Sequence, residues 1–335
     1  MRRLIKFDNN TPSFLSYAAV GGREERKSPL AEGFSYFDKD DKFGMDTFEE
    51  AEAELTRIAL NFAFKRGNFS PSEIDAIFAG DLENQCVASS CGLYTFGIPY
   101  VGLYSACSTC TEALLLISSL INSGAISRAA SVTSSHNGAA ERQFRTPVEY
   151  GGQRTPSAQW TATAAGAFVL GSGGNIEIKE ALIGKIVDGL TRDASNMGAA
   201  MARSAFDTLY TYFSLSDVSI DEIDCIFTGD LGYVGKEILC EMLSREIPNA
   251  KEKHIDCGTI LYDKSICDVH SGASGCGCSA SVLASYILPS FEKKKIKNAL
   301  FMSTGALMSP TSVMQGNNIL GITPLIRIES KDNLI

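Results

Sequence analysis

The sequence predicts a duplicated α/β fold, and two observations carry that prediction. EIDAIFAGDL at 73–82 returns at 222–231 as EIDCIFTGDL, with eight of ten positions matched. The segments after the two copies are also alike. The first copy leads into SACSTCTEALLLISSLINSG and then a strand at 129–133. The second leads into HSGASGCGCSASVLASYIL and then a strand at 299–302. Each half reads as helix, strand, long segment, small-residue turn, buried helix, strand. Two long copies of an α/β unit make one packed protein, not a solenoid of short repeats. The halves divide at 1–171 and 172–335.

Residues 1–45 hold Gly21-Gly22, Pro29 and the charged run FDKDDKFG, and predict an early strand followed by a long loop. DTFEEAEAELTRIALNFAFKR, 46–66, spaces its apolar residues at helical period and places acids early and bases late, as the helix dipole prefers. Asp46 is the expected N-cap, with Glu49 three residues on. The strand Ala76–Ala79 is closed by Gly80-Asp81, and Asp81 suits a turn or cap.

Val101 to Ile121 then forms a short strand, a sharp turn through small residues and a helix apolar on most sides. Cys107 stands where strand becomes helix. Free N–H groups and the positive end of the helix dipole there favour a thiolate. The same place suits the floor of a pocket that holds an anion, and it equally suits a small buried side chain. Residues 134–161 form a long polar, Gly- and Pro-containing loop with the single tryptophan, Trp160. Such loops inside compact domains are usually functional. A strand at 166–170 comes next.

Composition narrows the function. Hydrophobic residues make up 44% and charged residues 21% of the 335, as in soluble globular proteins. A net charge of −9 argues against nucleic acid as partner and does nothing to favour acidic lipid. Ten cysteines without a leader in MRRLIKFDNNTPSF read as reduced, cytoplasmic cysteine, not a disulfide framework. The apolar run Ala113–Ile121 is far short of the roughly 20 residues a bilayer span needs. Contact with a membrane would go through partners or a surface patch.

A duplicated α/β unit with a cysteine at the start of a buried helix resembles the thiolase and ketoacyl synthase superfamily. The resemblance implies a five-layer α/β/α/β/α sandwich from two βαβαβ halves, and a cysteine that forms a thioester. Within it, SSHNGAAERQFRTPVEYGGQRTPSAQWT, GLYSACST, DCGTILYD, DVHSGASGCGCSA and STGALMSP resemble the stage V sporulation protein AD family of spore-forming bacteria over nearly the whole chain. That resemblance implies a protein that binds dipicolinic acid (pyridine-2,6-dicarboxylic acid), alone or as its calcium chelate. It implies action beside membrane-embedded proteins of the dipicolinate channel, at the inner membrane of the forespore or spore. It also implies a homodimer, formed through the first-half strand after the nucleophile helix; no cofactor or bound metal is expected.

Carried over by position, Cys107 matches the superfamily nucleophile, and His270 in HSGASG resembles the histidine of HPxGxSG with one residue fewer. Asp230, in TGDL, stands where condensing enzymes carry His or Asn. Ser303-Thr304-Gly305-Ala306 stands where thiolases carry a second cysteine. Gly305 and the Cys107 N–H are the candidates for an oxyanion hole. The expected ligand-binding set is Cys107, Asp230, His270 and Gly305 from the resemblance, with His136, Arg142 and Arg145 from the chemistry of their segments. His136 and His270 occupy small-residue turns at equivalent ends of the halves, whereas His254 reads as structural. Arg142 or Arg145 would supply the bidentate donors a planar dicarboxylate needs. Glu141 is given no role, and Lys293–Lys295 reads as a solvated helix end. Cys107-x-x-Cys110 sits in too large a duplicated unit for a thioredoxin-like reading, and Cys276-Gly-Cys278 lacks paired metal spacing. Three functions stay open: a non-enzymatic dipicolinate-binding protein, an acyl-transfer enzyme with Cys107 as nucleophile and His270 as base, and a scaffold for membrane subunits.

Overall fold

A computed structural model describes residues 2–144, 154–265 and 267–331. The first half contributes β1 (Pro12–Gly21), α1 (Phe48–Gly67), β2 (Ala76–Gly80), α2 (Val87–Leu93), β3 (Tyr100–Gly102), α3 (Thr109–Asn122), β4 (Arg128–Ser135), α4 (Asn137–Phe144) and β5 (Ala164–Ser172). The second contributes β6 (Ile176–Leu182), α5 (Met197–Leu215), β7 (Cys225–Thr228), α6 (Gly232–Glu246), β8 (His254–Asp256), α7 (Cys276–Val282), β9 (Asn298–Met302), β10 (Gly305–Leu307) and β11 (Leu325–Ser330).

The strands line up as β8-β7-β9-β11-β6-β1-β5-β4-β2-β3. With β10 set aside in a small separate sheet, each half has its strands in the same order, third-second-fourth-fifth-first. The directions repeat as well. β2 runs parallel to β3 and β4, as β7 does to β8 and β9. The remaining pairs in each half are antiparallel. The two first strands join the halves antiparallel, Ser13 opposite Glu177 and Phe14 opposite Ile176.

Period-two alternation explains the layers. Ile77 of β2 faces outward to Leu55, Ala59 and Leu60 of α1. Its counterpart Ile226 of β7 faces Leu209 of α5 with Leu239 and Leu243 of α6. Phe78 and Phe227, one residue on, face inward to Leu114 and Ile117 of α3 and to Val282 and Leu283 of α7 and its continuation. The result is helices, sheet, buried helix pair, sheet, helices. Close approach needs glycine: a Cβ on Gly277 of α7 would lie 2.0 Å from the Ala164 carbonyl oxygen, and one on Gly166 of β5 2.4 Å from that of Ala280.

Three local expectations shift. The N-cap of α1 is Thr47, not Asp46. Its Oγ1 accepts from Glu50 N at 3.2 Å and Glu50 returns to Thr47 N at 3.3 Å, which leaves Glu49 to bind Arg142. The 134–161 loop contains a helix, α4. The strand after α3, β4, is paired on both sides and offers no edge to a second copy. The open edge of the first half is β3, all three residues of which are exposed.

Candidate functional site

The site begins with the turn before α3. Leu103 N donates to Ala79 O at 2.8 Å, pinning the chain to β2 as it leaves β3. Ala106 then takes a φ of +50°, a left-handed conformation that a side chain resists. Hydroxyls hold the turn shut: Ser108 Oγ donates to Ser105 O at 2.7 Å and Thr109 Oγ1 to Ala106 O at 2.7 Å. Cys107 is thereby presented, 6% exposed, on the wall of a cavity of about 370 Å³. Leu82, Phe144, Met197 and Met308 make that wall largely apolar, while Tyr104, Ser274 and Ser309 bring hydroxyls. The described residues lining it include no lysine, arginine or histidine.

Asp230 enters from the end of β7. Its Oδ1 accepts from Thr304 Oγ1 at 2.9 Å, and its Oδ2 from Gly275 N at 2.9 Å and Ser274 Oγ at 3.1 Å. Thr304 Oγ1 also accepts from Asp230 N at 3.0 Å, and Gln159 Nε2 donates to the Asp230 carbonyl at 2.7 Å. Complete burial pushes the carboxyl up to about 6, although its donors, the Cys107 thiol among them, pull the other way. Cys276, the first residue of α7, donates from Sγ to Ala106 O at 3.0 Å. The starts of the two buried helices therefore meet at Cys107.

The expected thiolate is reversed. Hydrogen bonding with Cys276 comes first, then burial and the Asp230 charge, and together they push the Cys107 thiol well above its ordinary value. A helix start favours an anion only where water or cations do not have to be given up for it. Here the neighbours are a thiol and a carboxylate.

Of the residues expected in the site, Cys107, Asp230 and Gly305 come together. A Cβ on Gly305 would lie 2.8 Å from Ser105 O and 3.0 Å from Ser108 Oγ, so only glycine lets β10 press on the Cys107 turn. His270 has other partners and does not line the cavity. Its Nδ1 lies 2.7 Å from Thr155 O and its Nε2 2.9 Å from Asp268. His136 is a buried cap: Nε2 donates to Asp41 O at 2.7 Å while Nδ1 accepts from Gly138 N at 3.0 Å, at the start of α4. Burial lowers its pKa. Arg142 pairs with Glu49 and lies over the Phe48 ring at 5.9 Å. Arg145 lies outside the described residues. His254 is enclosed between Thr228, at 2.8 Å, and Cys240, and burial drives it down to about 3.

Sequence reasoning missed Cys276, Thr304 and Ser274. The signal for Cys276 was present, because it starts the second buried helix much as Cys107 comes just before the first. Among the described residues, no three His, Cys, Asp or Glu side chains are placed to hold a metal ion.

Residues 2–329 match the family described as stage V sporulation protein AD (SpoVAD). The chain belongs to the SpoVAD family. It is 37% identical over 310 residues to stage V sporulation protein AD of Bacillus subtilis (strain 168), covering 92% of this chain and 91% of that one. Solved structures agree on the fold. A single-residue variant of OleA from Xanthomonas campestris superposes with a TM-score of 0.59 at 11% identity, over 97% of this chain and 99% of that one. The 3-oxoacyl-[acyl-carrier-protein] synthase III of Aquifex aeolicus VF5 gives 0.56 at 14%, over 94% and 99%. At such identities the likeness establishes architecture alone. This SpoVAD chain thus has the thiolase-like sandwich, and Cys276, burial and Asp230 push its Cys107 thiol up. No helix among the described residues is long and apolar enough to cross a membrane.

Proposed function

We propose that this sporulation protein is a non-enzymatic binder of dipicolinic acid, taken up alone or as its calcium chelate in the cavity at Cys107. The observation that carries this reading is the setting of that thiol: it faces Cys276 and Asp230, and these, with burial, hold it protonated. A thiol held neutral is a poor nucleophile, whereas an apolar cavity with a few hydroxyls is a fair receptacle for a flat ring. The ring would lie among Leu82, Phe144, Met197 and Met308, with its carboxylates toward Ser309 and Tyr104. Asp230 opposes a dianion when it is itself charged, so a calcium chelate or a pH below about 6 favours entry. Arg145, next in the chain to Phe144, is the cation to test.

The protein would work at the forespore inner membrane beside membrane-embedded partners of the dipicolinate channel. A homodimer would form by pairing of the exposed edge β3, since an open edge carries unpaired N–H and C=O groups. Titration calorimetry with dipicolinic acid, with and without calcium, should give saturable heat at pH 6 that weakens in Phe144→Ala and Arg145→Ala. No saturable heat at pH 6 or 8 overturns the reading.

Acyl transfer is the second reading, favoured by the strained Ala106 turn and the apolar cavity. It requires an acyl adduct on Cys107 after exposure to acyl thioesters, seen by peptide mass spectrometry and abolished in Cys107→Ala.

A further inference from the structure

Two thiols from opposite halves of the chain pack together at the cavity, one lining it and one buried behind. Cys107 lies in the turn two residues before α3 and lines the cavity. Cys276 opens α7, is fully buried and reaches the Ala106 carbonyl at 3.0 Å, one residue from Cys107. Both pack in one small cluster with Leu82 and Ala140. The neighbour in sequence, Cys110, is turned away into the central core with Leu114 and Ile117. The sequence motif Cys107-x-x-Cys110 is therefore not the pair that meets.

We propose that Cys107 and Cys276 form a working dithiol, which reduces a low-molecular-weight disulfide entering the cavity and closes into a disulfide. Cys107, the thiol that lines the cavity, attacks one sulfur of the incoming disulfide as its thiolate. The external S–S bond breaks and the first thiol leaves, carrying the proton that Cys107 lost to solvent. The thiolate of Cys276 then attacks the Cys107 sulfur of the mixed disulfide and expels the second thiol. The two cysteines lose two protons and two electrons between them, and the external disulfide takes them up to become two thiols. The product ties the turn before α3 to the start of α7 and removes the Cys107 thiol from the cavity lining. The proposal does not depend on which ligand the cavity takes.

The burial that keeps both thiols protonated makes the exchange slow near neutrality. Its rate should rise about tenfold per pH unit as the thiolate fraction grows. The test incubates the full chain with excess oxidised glutathione at pH 7, 8 and 9, followed by acid quench, alkylation and peptide mass spectrometry. The expected product is a Cys107–Cys276 link, two hydrogens lighter, faster at higher pH. Cys276→Ser should trap glutathione on Cys107. Cys107→Ser should leave Cys276 reduced, because Cys276 has no exposed surface of its own. The exposed Cys91 reports that the reagent is active. Glutathione on Cys91 without a 107–276 link in the wild type overturns the proposal, as does a link from Cys107 to Cys110. Wild-type behaviour decides these outcomes even if a serine variant fails to fold, which circular dichroism would reveal.

Discussion

The two halves end equivalent strands on equivalent aspartates and use them for opposite purposes. Asp81, after β2, is closed on its own half: its carboxylate accepts from Glu83 N and Ser89 N, each at 2.8 Å, and from Ser89 Oγ at 2.5 Å. It fixes the turn that starts α2. Asp230, after β7, leaves that task to Asp256, which accepts from Leu231 N at 2.9 Å and Gly232 N at 3.0 Å at the start of α6. Freed from capping, Asp230 reaches across to Ser274, Thr304 and the Cys107 thiol. The two halves thus share a framework, and the candidate site lies where a second acid, Asp256, does the capping that Asp81 does in the first half.

Substitutions put that contrast to the test. Asp81→Ala should be the most damaging, destabilising by about 3 kcal/mol in denaturant titration, because buried donors lose a charged acceptor. A loss below about 1 kcal/mol would refute the assignment of a structural role. Asp230→Asn keeps the shape but removes the charge. It should leave stability within about 1 kcal/mol and lower the Cys107 pKa, read from alkylation rate against pH. An unchanged thiol would show that Asp230 does not act on it.

The buried acids also set a pH dependence. Burial, the first cause in each case, raises Asp230 to about 6, and Asp256, Glu25 and Glu83 to about 7. The unfolded chain releases the same protons near 4. The folded state therefore binds more protons between those limits, and stability, full below about 4, falls as pH rises toward 7. Thermal melts should give a Tm several degrees lower at pH 8 than at pH 5.5; a Tm rising over that span would contradict these shifts. The smallest effects concern the histidines. His136→Ala should cost about 1 kcal/mol through loss of the α4 cap, and His270→Ala about 0.5 kcal/mol or less from its partly exposed position.

Much of this framework was legible in the residues. The 73–82 and 222–231 match located both inner strands, and Phe78 with Phe227 turned inward as period two requires. Resemblance pointed to the sandwich and to the site's Cys107, Asp230 and Gly305. The rest stayed hidden because it depends on contacts distant in sequence. His270 is claimed by Thr155 and Asp268, His136 by Asp41, and Arg142 by Glu49. None of these partners is marked by a motif. The thiolate expectation failed for the same reason: a helix start is visible in sequence, but the thiol of Cys276 and the carboxylate of Asp230 that surround it are brought there by the other half. Cys276 itself was reachable by aligning the two buried helices instead of counting cysteine spacings.

Whether the cavity at Cys107 binds a ligand beside a neutral thiol can be read from one measurement, the alkylation rate of Cys107 against pH, with and without dipicolinic acid. An inflection above pH 9 is expected, with slower alkylation when the acid is present. An inflection below pH 8, with no protection by dipicolinic acid, would contradict both parts of that picture and return Cys107 to the role of a nucleophile.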